Sequence, residues 1–301
     1  MRPIVVTTDM AADMPQGFFK NNGVDVIPMP FTLNGKEYFD DGLPTPSEFY
    51  GALRGGGLAN TSQTSAYAAI HTFEKHLKEG KDILHISFSS GMSGSYDNIL
   101  RTSEELLVKY RDAKIRVVDS LSGCGGQGLM VKRALEMRDK GFDLEEIAKR
   151  LENDRMNFHH FFIVEDLNML YRGGRLSRIE AAVGTLLGIK PLLELNHYGK
   201  IMPLLKVMGK KKALGAIVEQ VVKYYKPELN DYILVEHGDD EAGARQLADK
   251  ITEALPDAKI EFAYVNYLVG AHAGPGALAV FFEGAERPRF INVPVPGKGK
   301  Q

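Results

Sequence analysis

The chain has 301 residues, of which 44% are apolar and 25% charged, as in an ordinary soluble globular protein. Lys and Arg number 37 against 39 Asp and Glu, and this net charge of −2 argues against nucleic acid or an acidic membrane as the main partner. The single cysteine, Cys124, excludes an intrachain disulfide and a zinc site built from several cysteines.

The first half of the chain alternates short apolar segments with amphipathic ones. The pattern predicts strands at residues 3–8, 24–29, 82–88 and 115–119, and helices at 47–53, 65–78, 95–110 and 129–140. A further helix is expected in the segment GFDLEEIAKRL, where Asp143 is the expected N-cap and Glu146 follows as in a capping box. Repeated strand–helix alternation predicts a parallel sheet covered by helices.

The second half has a less regular pattern. Strands are predicted at residues 161–164, 232–236, 260–265 and 278–282, and helices at 213–225 and 241–255. The apolar segment 186–195 is interrupted by Lys190 and Pro191. This arrangement predicts an α/β domain whose sheet is mixed rather than purely parallel.

The predicted fold class is therefore α/β with two domains. We place an N-terminal parallel-sheet domain at residues 1–157, a C-terminal mixed domain at 158–292, and a disordered tail at 293–301. No apolar run approaches the roughly 18 residues of a membrane span. The N-terminus lacks the long apolar core of a signal peptide, so we expect a cytoplasmic protein.

Hydroxyl groups are concentrated in residues 61–65, TSQTS, directly before a predicted helix. Ser and Thr at such a position cap free backbone N–H groups. The same donors, together with the helix dipole, also suit a carboxylate or a phosphate. The segment therefore predicts a helix cap, with an anion site as the alternative.

Serines and glycines fill residues 87–96, SFSSGMSGSY, between a predicted strand and a predicted helix. In an open parallel sheet this is the edge where ligands bind, and the composition favours a ligand loop. The loop nearly matches the nucleophile elbow G-x-S-x-G, with Ser93 as nucleophile and Ser95 in place of the last glycine. A serine hydrolase would also need a His held by an Asp or Glu.

Three other motifs leave alternatives open. Residues 123–128, GCGGQG, formally match the dinucleotide motif G-x-G-x-x-G, but no strand ending in an acidic residue follows, which favours a helix entry packed closely on a neighbour. Arg172 and Arg175 flank two glycines and suit a carboxylate, a phosphate or an acidic partner, or else a solvated turn. The lysines at 210–212 indicate a solvated helix start, with phosphate or partner contact as the alternative.

His272 lies within the small-residue segment GAHAGPGA at residues 270–277. The surrounding glycines favour a histidine that reaches a ligand, where it donates a hydrogen bond to a carboxylate, over a purely structural one. The aspartates at positions 9, 13, 40 and 41 match no Ca²⁺-loop spacing, and we predict no metal site.

In order and spacing, several segments together resemble the DegV family of bacterial fatty-acid-binding proteins, over nearly the whole chain. These segments are TTDMAADMP (7–15), VDVIPMPF (24–31), TSQTSA (61–66), SFSSGMSGSYDNI (87–99), VVDS (117–120), DLNMLYRGGRLS (166–177), LLGIKPLL (186–193) and GAHAGPGA (270–277). The resemblance implies a DegV-like fold of two α/β domains, with a long-chain fatty acid buried between or beneath them.

The resemblance also implies residue roles. Thr61 and Ser93 would bind the fatty-acid carboxylate, with Ser62, the backbone of Gly94 and His272 as secondary contacts. Members of the family include the binding subunits of fatty-acid kinases, which present the carboxylate to a separate ATP-binding subunit that makes an acyl phosphate. Arg172 and Arg175 would then serve docking or phosphate contact.

We therefore predict a carrier without independent turnover, catalytic residues, metal or cofactor, whose ligand is a long-chain fatty acid and whose partner is an ATP-binding kinase subunit. Two alternatives belong to other functional classes. One is a serine hydrolase with Ser93 as nucleophile and His272 as base. The other is a nucleotide-dependent oxidoreductase that uses the glycine segment at 123–128.

Overall fold

The computed structural model of the chain describes residues 2–177 and 189–287. The predicted tail at 293–301 and the first residues of the apolar segment 186–195 lie outside these ranges. In the described residues the strands are β1 (Ile4–Asp9), β2 (Asp25–Ile27), β3 (Phe31–Leu33), β4 (Lys36–Tyr38), β5 (Ala59–Thr61), β6 (Asp82–Ser87), β7 (Ile115–Asp119), β8 (Phe158–Ile163), β9 (Ile189–Leu195), β10 (Ile201–Met208), β11 (Ile233–His237), β12 (Ile260–Tyr264) and β13 (Leu278–Glu283).

The helices of the same ranges follow the predicted pattern closely, with three additions. They are α1 (Phe18–Asn21), α2 (Pro46–Arg54), α3 (Ala66–Lys78), α4 (Ser95–Lys109), α5 (Cys124–Asp139), α6 (Leu144–Asp154), α7 (Leu167–Arg172), α8 (Lys210–Tyr224), α9 (Glu241–Ala254) and α10 (Tyr267–Ala273). The additions are α1, α7 and α10, which are too short to show a clear apolar period. None of these helices is long and apolar enough to cross a membrane.

The first sheet has the order β2-β1-β6-β7, and every strand pair in it is parallel. Alternate residues of the central strand β6 enter different cores. Ile83 packs in the core that contains α3 and α4, whereas Leu84 packs in the core that contains α5 and α6. Helices thus cover both faces, which confirms the predicted parallel-sheet domain.

The second sheet has the order β10-β9-β8-β13-β11-β12. Its pairs are antiparallel except for β11 with β12, so the predicted mixed sheet is confirmed. Helices α8 and α9 pack on one face, and α5 contacts the other face as well as the first sheet. A smaller antiparallel sheet, β4-β3-β5, was not predicted because its strands are only three residues long.

Helix α5 begins earlier than predicted, at Cys124 rather than at residue 129, so the glycine segment lies largely inside the helix. Its glycines are needed for close packing. A Cβ at Gly126 would lie 2.1 Å from the Nε2 atom of His160, and one at Gly128 would lie 2.0 Å from the backbone oxygen of Asp13. The expected helix entry packed on a neighbour is therefore confirmed, and the segment forms no open dinucleotide loop.

Helix caps follow the sequence signals. The side chain of Asp143 accepts a hydrogen bond from the backbone N–H of Glu146, as predicted. Helix α10 begins at an Asn266 cap, whose Oδ1 accepts from Val269 N at 2.9 Å. The helix that begins at this cap contains the first part of the small-residue segment, and His272 lies in its last turn.

Candidate functional site

A cavity of about 890 Å³, counting the space open to solvent, lies where the small sheet, the loop after β6, the start of α5, β8 and α10 meet. Most of its wall is apolar, and the larger of these side chains are Phe88, Met92, Phe162, Leu195, Leu268 and Phe281. The cavity therefore suits a ligand that is mostly hydrocarbon.

Five of the polar side chains that line the same cavity are hereafter called the polar patch: Thr61, Ser62, Ser93, Arg175 and His272. They come from separate parts of the chain: β5 and the residue after it, the loop after β6, the segment after α7, and α10. All five were predicted as site residues from the sequence. The structure brings them together around one cavity, although in the sequence they span more than two hundred positions.

Hydrogen bonds hold the hydroxyl groups of the polar patch in position. Thr61 Oγ1 lies 2.8 Å from His272 Nε2. Ser93 Oγ accepts from the backbone N–H of Ser95 at 3.2 Å and lies 2.9 Å from Ser95 Oγ. Because a hydroxyl has one hydrogen and two lone pairs, the Ser93 O–H is available to donate either to Ser95 Oγ or to a ligand.

Arg175 brings positive charge to the polar patch. Its guanidinium donates to Met92 O at 3.2 Å through Nε and to Gly173 O at 2.5 Å. Among the described residues, no Asp or Glu side chain forms an ion pair with it. Burial, and after it the charge of Arg175, lowers the pKa of His272 to about 4, so this imidazole is neutral at pH 7. The neutral imidazole of His272, as a hydrogen-bond donor, and the nearby positive charge of Arg175 together favour an anion in the cavity.

Two glycines of the predicted motifs shape the polar patch. A Cβ at Gly173 would lie 2.1 Å from His272 Nδ1, so glycine there leaves room for the imidazole. A Cβ at Gly94 would lie 2.5 Å from Gln63 Oε1, and glycine there allows residues 61–65 to pack on the loop after β6. Gly94 itself is not among the residues that line the cavity.

The remaining predicted residues lie outside the cavity wall. Arg172 is exposed at the end of α7, where its Nε donates to Asn168 O at 3.4 Å. Ser65 caps α3 by accepting from Ala68 N at 3.2 Å, so the TSQTS segment supplies both a helix cap and cavity-lining hydroxyls. The lysines at 210–212 begin α8, and the second and third are exposed, as predicted for a solvated helix start.

The hydrogen bonds of the described residues do not assemble the triad that a serine hydrolase needs. His272 Nε2 is bonded to Thr61, and Ser93 is bonded to Ser95. The charged group that acts on His272 is the cation of Arg175 rather than an orienting carboxylate. An imidazole with a pKa of about 4 is also a weak general base at neutral pH.

One buried cluster was missed by sequence reasoning, because its members are far apart in the chain. Asp13, Cys124 and Glu236 place potential metal-ligand atoms within 4.8 Å of one another, and Cys124 also lines the cavity. Burial raises the pKa of Asp13 to about 7 and raises those of Cys124 and Glu236 well above their usual values. Burial thus favours the protonated forms of Cys124 and Glu236, and a metal would have to displace those protons.

His160 was also missed. It lies in the strand sequence FHHFFI, whose pattern indicates only a buried strand, yet its side chain lines the cavity. Only the neighbouring strands and α5, which no local pattern specifies, place this side chain at the wall.

Comparison with known proteins identifies relatives over most of the chain. A family model described as "Uncharacterised protein, DegV family" matches residues 3–285. A DegV domain-containing protein of Clostridium perfringens is 37% identical over 286 residues, which cover 94% of this chain and 98% of the relative.

Two solved structures share the fold over nearly their full length. A DegV family protein from Thermus thermophilus, described by its fatty acid binding, aligns with a TM-score of 0.83 at 27% identity and covers 94% of this chain and 100% of its own. A fatty acid binding DegV family protein from Streptococcus agalactiae aligns with a TM-score of 0.82 at 28% identity and covers 95% and 100%.

Proposed function

This chain belongs to the DegV family, and from that premise we propose that it binds a long-chain fatty acid, with the acyl chain in the cavity and the carboxylate at the polar patch. The observation that carries the proposal is the composition of the cavity wall. It is mostly apolar, and its polar groups include a cluster of hydroxyl donors, a neutral imidazole and a guanidinium that forms no ion pair with a described residue. The two solved relatives described by fatty acid binding support it.

The apolar wall supplies most of the proposed binding energy. Burial of an acyl chain gains about 0.8 kcal/mol per CH₂ group before ordering costs are subtracted. A chain of many CH₂ groups therefore binds tightly without many polar contacts. A short-chain acid loses most of this gain, so the cavity should discriminate strongly by chain length.

The polar patch offsets the cost of burying the carboxylate, which is several kcal/mol for a carboxylate left without partners. In the proposed arrangement, the O–H groups of Thr61 and Ser93 donate to the carboxylate. Thr61 Oγ1 in turn accepts from His272 Nε2–H, using the 2.8 Å contact already present. Arg175, half-buried beside this pair, balances the negative charge.

We further propose that the bound acid is presented to a separate ATP-dependent kinase subunit for acyl-phosphate formation, and that this chain has no turnover of its own. Arg172 supports this idea, because it is exposed while Gly173 packs against His272 and Arg175 belongs to the polar patch. His272 is hydrogen-bonded to Thr61 and Ser93 to Ser95, rather than to each other, and this supports the absence of hydrolytic turnover.

A titration with matched ligands tests the lipid proposal. Delipidated protein is titrated with oleate, its methyl ester and octanoate, each below its critical micelle concentration. We expect saturable binding of oleate, weaker binding of the ester, which carries no charge for the polar patch, and no measurable binding of octanoate. Equal binding of oleate and its ester would contradict the carboxylate assignment, and no saturable binding of oleate would contradict the proposal as a whole.

A further inference from the structure

Three buried side chains that the proposed function does not use converge beside α5: Asp13, Cys124 and Glu236. Asp13 follows β1 of the first sheet, Glu236 lies in β11 of the second sheet, and Cys124 is the first residue of α5, which contacts both sheets. One potential ligand atom from each lies within 4.8 Å of the other two. The three residues are 8%, 0% and 6% exposed for Asp13, Glu236 and Cys124, so the cluster is shielded from solvent.

Glu236 is the member of the cluster that calls for a ligand. Its side chain is fully buried, and neither carboxylate oxygen has a hydrogen-bond partner among the described residues. The backbone N–H of Gly125 approaches this carboxyl without reaching hydrogen-bond geometry. Buried polar groups of proteins are almost always satisfied. Because Asp13 and Cys124 are the potential ligands that surround this carboxyl, the missing partner belongs between the three side chains.

The charges around the cluster suit a cation. Two carboxyl groups that meet inside a protein need a proton or a cation between them, and no Lys or Arg of the described ranges forms an ion pair with Asp13 or Glu236. Asn266 donates to Asp13 Oδ2 at 3.1 Å through its backbone N–H and at 2.9 Å through Nδ2, which lies 3.9 Å from Cys124 Sγ. Such second donors orient metal ligands in proteins.

We propose that Asp13, Cys124 and Glu236 bind a Zn²⁺ ion that links the first sheet, the second sheet and α5. Thiolate sulfur and carboxylate oxygen are both zinc ligands, at about 2.3 Å and 2.0–2.2 Å from the ion. Ligand atoms around a tetrahedral ion are then roughly 3.3–3.8 Å apart, within the 4.8 Å that bounds this cluster. The ion displaces the protons of the thiol and the carboxyls. It binds as the chain folds, so it needs neither an open route from solvent nor an acyl chain in the cavity.

Cobalt substitution tests the site on the wild-type chain, independently of any variant. The protein is produced in medium supplemented with Zn²⁺ or with Co²⁺, purified without chelator and subjected to elemental analysis. We expect the supplied metal in stoichiometric amount. A thiolate that binds Co²⁺ gives a near-ultraviolet charge-transfer band, and because Cys124 is the single cysteine, such a band can arise only at this cluster. We expect this band in the Co²⁺ protein and its loss when Zn²⁺ replaces the cobalt.

Two variants and a control assign the ligands. In competition with a chromophoric chelator, Cys124→Ser and Glu236→Gln should each bind Zn²⁺ more than about tenfold more weakly. Glu261→Gln, which removes an exposed carboxylate from the neighbouring strand β12, should bind it as the wild type does. Protein that is free of metal from both media, with a proton alone shared in the cluster, would overturn the proposal. So would bound Co²⁺ without the thiolate band, or equal Zn²⁺ affinities in Glu236→Gln and Glu261→Gln.

Discussion

Replacement of Ser93 by Ala tests the carboxylate assignment through a single oxygen atom. Ser93 lines the cavity, and its O–H is the group we assign to the fatty-acid carboxylate. A hydrogen bond to a charged group contributes about 1.5–3 kcal/mol. At about 1.4 kcal/mol per factor of ten, its loss weakens binding roughly 10- to 150-fold. Because the same O–H also has Ser95 Oγ as a neighbour at 2.9 Å, we expect the lower part of that range.

Ser90 provides the matched control for this variant. It lies in the same loop but is exposed, and its hydroxyl donates to Asp119 Oδ2 at 2.6 Å instead of facing the cavity. Oleate affinities of wild type, Ser93→Ala and Ser90→Ala are measured by displacement of a fluorescent fatty acid, with thermal unfolding recorded in parallel. We expect a loss of affinity only in Ser93→Ala. Affinity within about twofold of wild type, or an equal loss in Ser90→Ala, would refute the assignment.

Three further predictions concern the surroundings of the polar patch. Gly173→Ala should weaken oleate binding by displacing the His272 ring, whereas Gly174→Ala, at a left-handed position with open space, should lower stability without changing affinity; equal affinities in both variants would contradict this. Ser65→Ala should lower the free energy of unfolding by about 1 kcal/mol through loss of the α3 cap, with oleate affinity unchanged in the same displacement assay. The pKa of His272 is about 4 in the folded protein, against an ordinary value of 6.5 in the unfolded chain. Between these two pH values the unfolded chain binds more protons than the folded protein, so the free energy of unfolding should fall as pH falls through this window. Urea unfolding should show a smaller pH dependence in His272→Gln, and an identical dependence would contradict the assigned burial.

The parallel-sheet domain could be predicted because the sequence patterns that specify its strands and helices are local. Each apolar strand is followed by an amphipathic helix, and alternate residues such as Ile83 and Leu84 enter opposite cores. The polar patch could be predicted for a different reason. Its hydroxyls and imidazole lie in short motifs whose order resembles one family, so the sequence alone points to Thr61, Ser93 and His272.

Other features depend on tertiary contacts that no short pattern specifies. Helix α5 begins five residues before its predicted start, because Gly126 and its neighbours pack against the second sheet and gain support there despite low helix propensity. His160 becomes a cavity residue only when β8 pairs with β13 and α5 packs on the same face. Asp13 and Glu236, more than two hundred positions apart, meet only in the folded chain.

The most direct measurement is mass spectrometry of an organic extract of the purified protein, with a mock purification in parallel and a second extraction after incubation with oleate and palmitate. We expect a long-chain fatty acid in stoichiometric amount, which also reports its chain length and saturation. Protein that yields no fatty acid in either extraction would contradict the proposal that this cavity holds one.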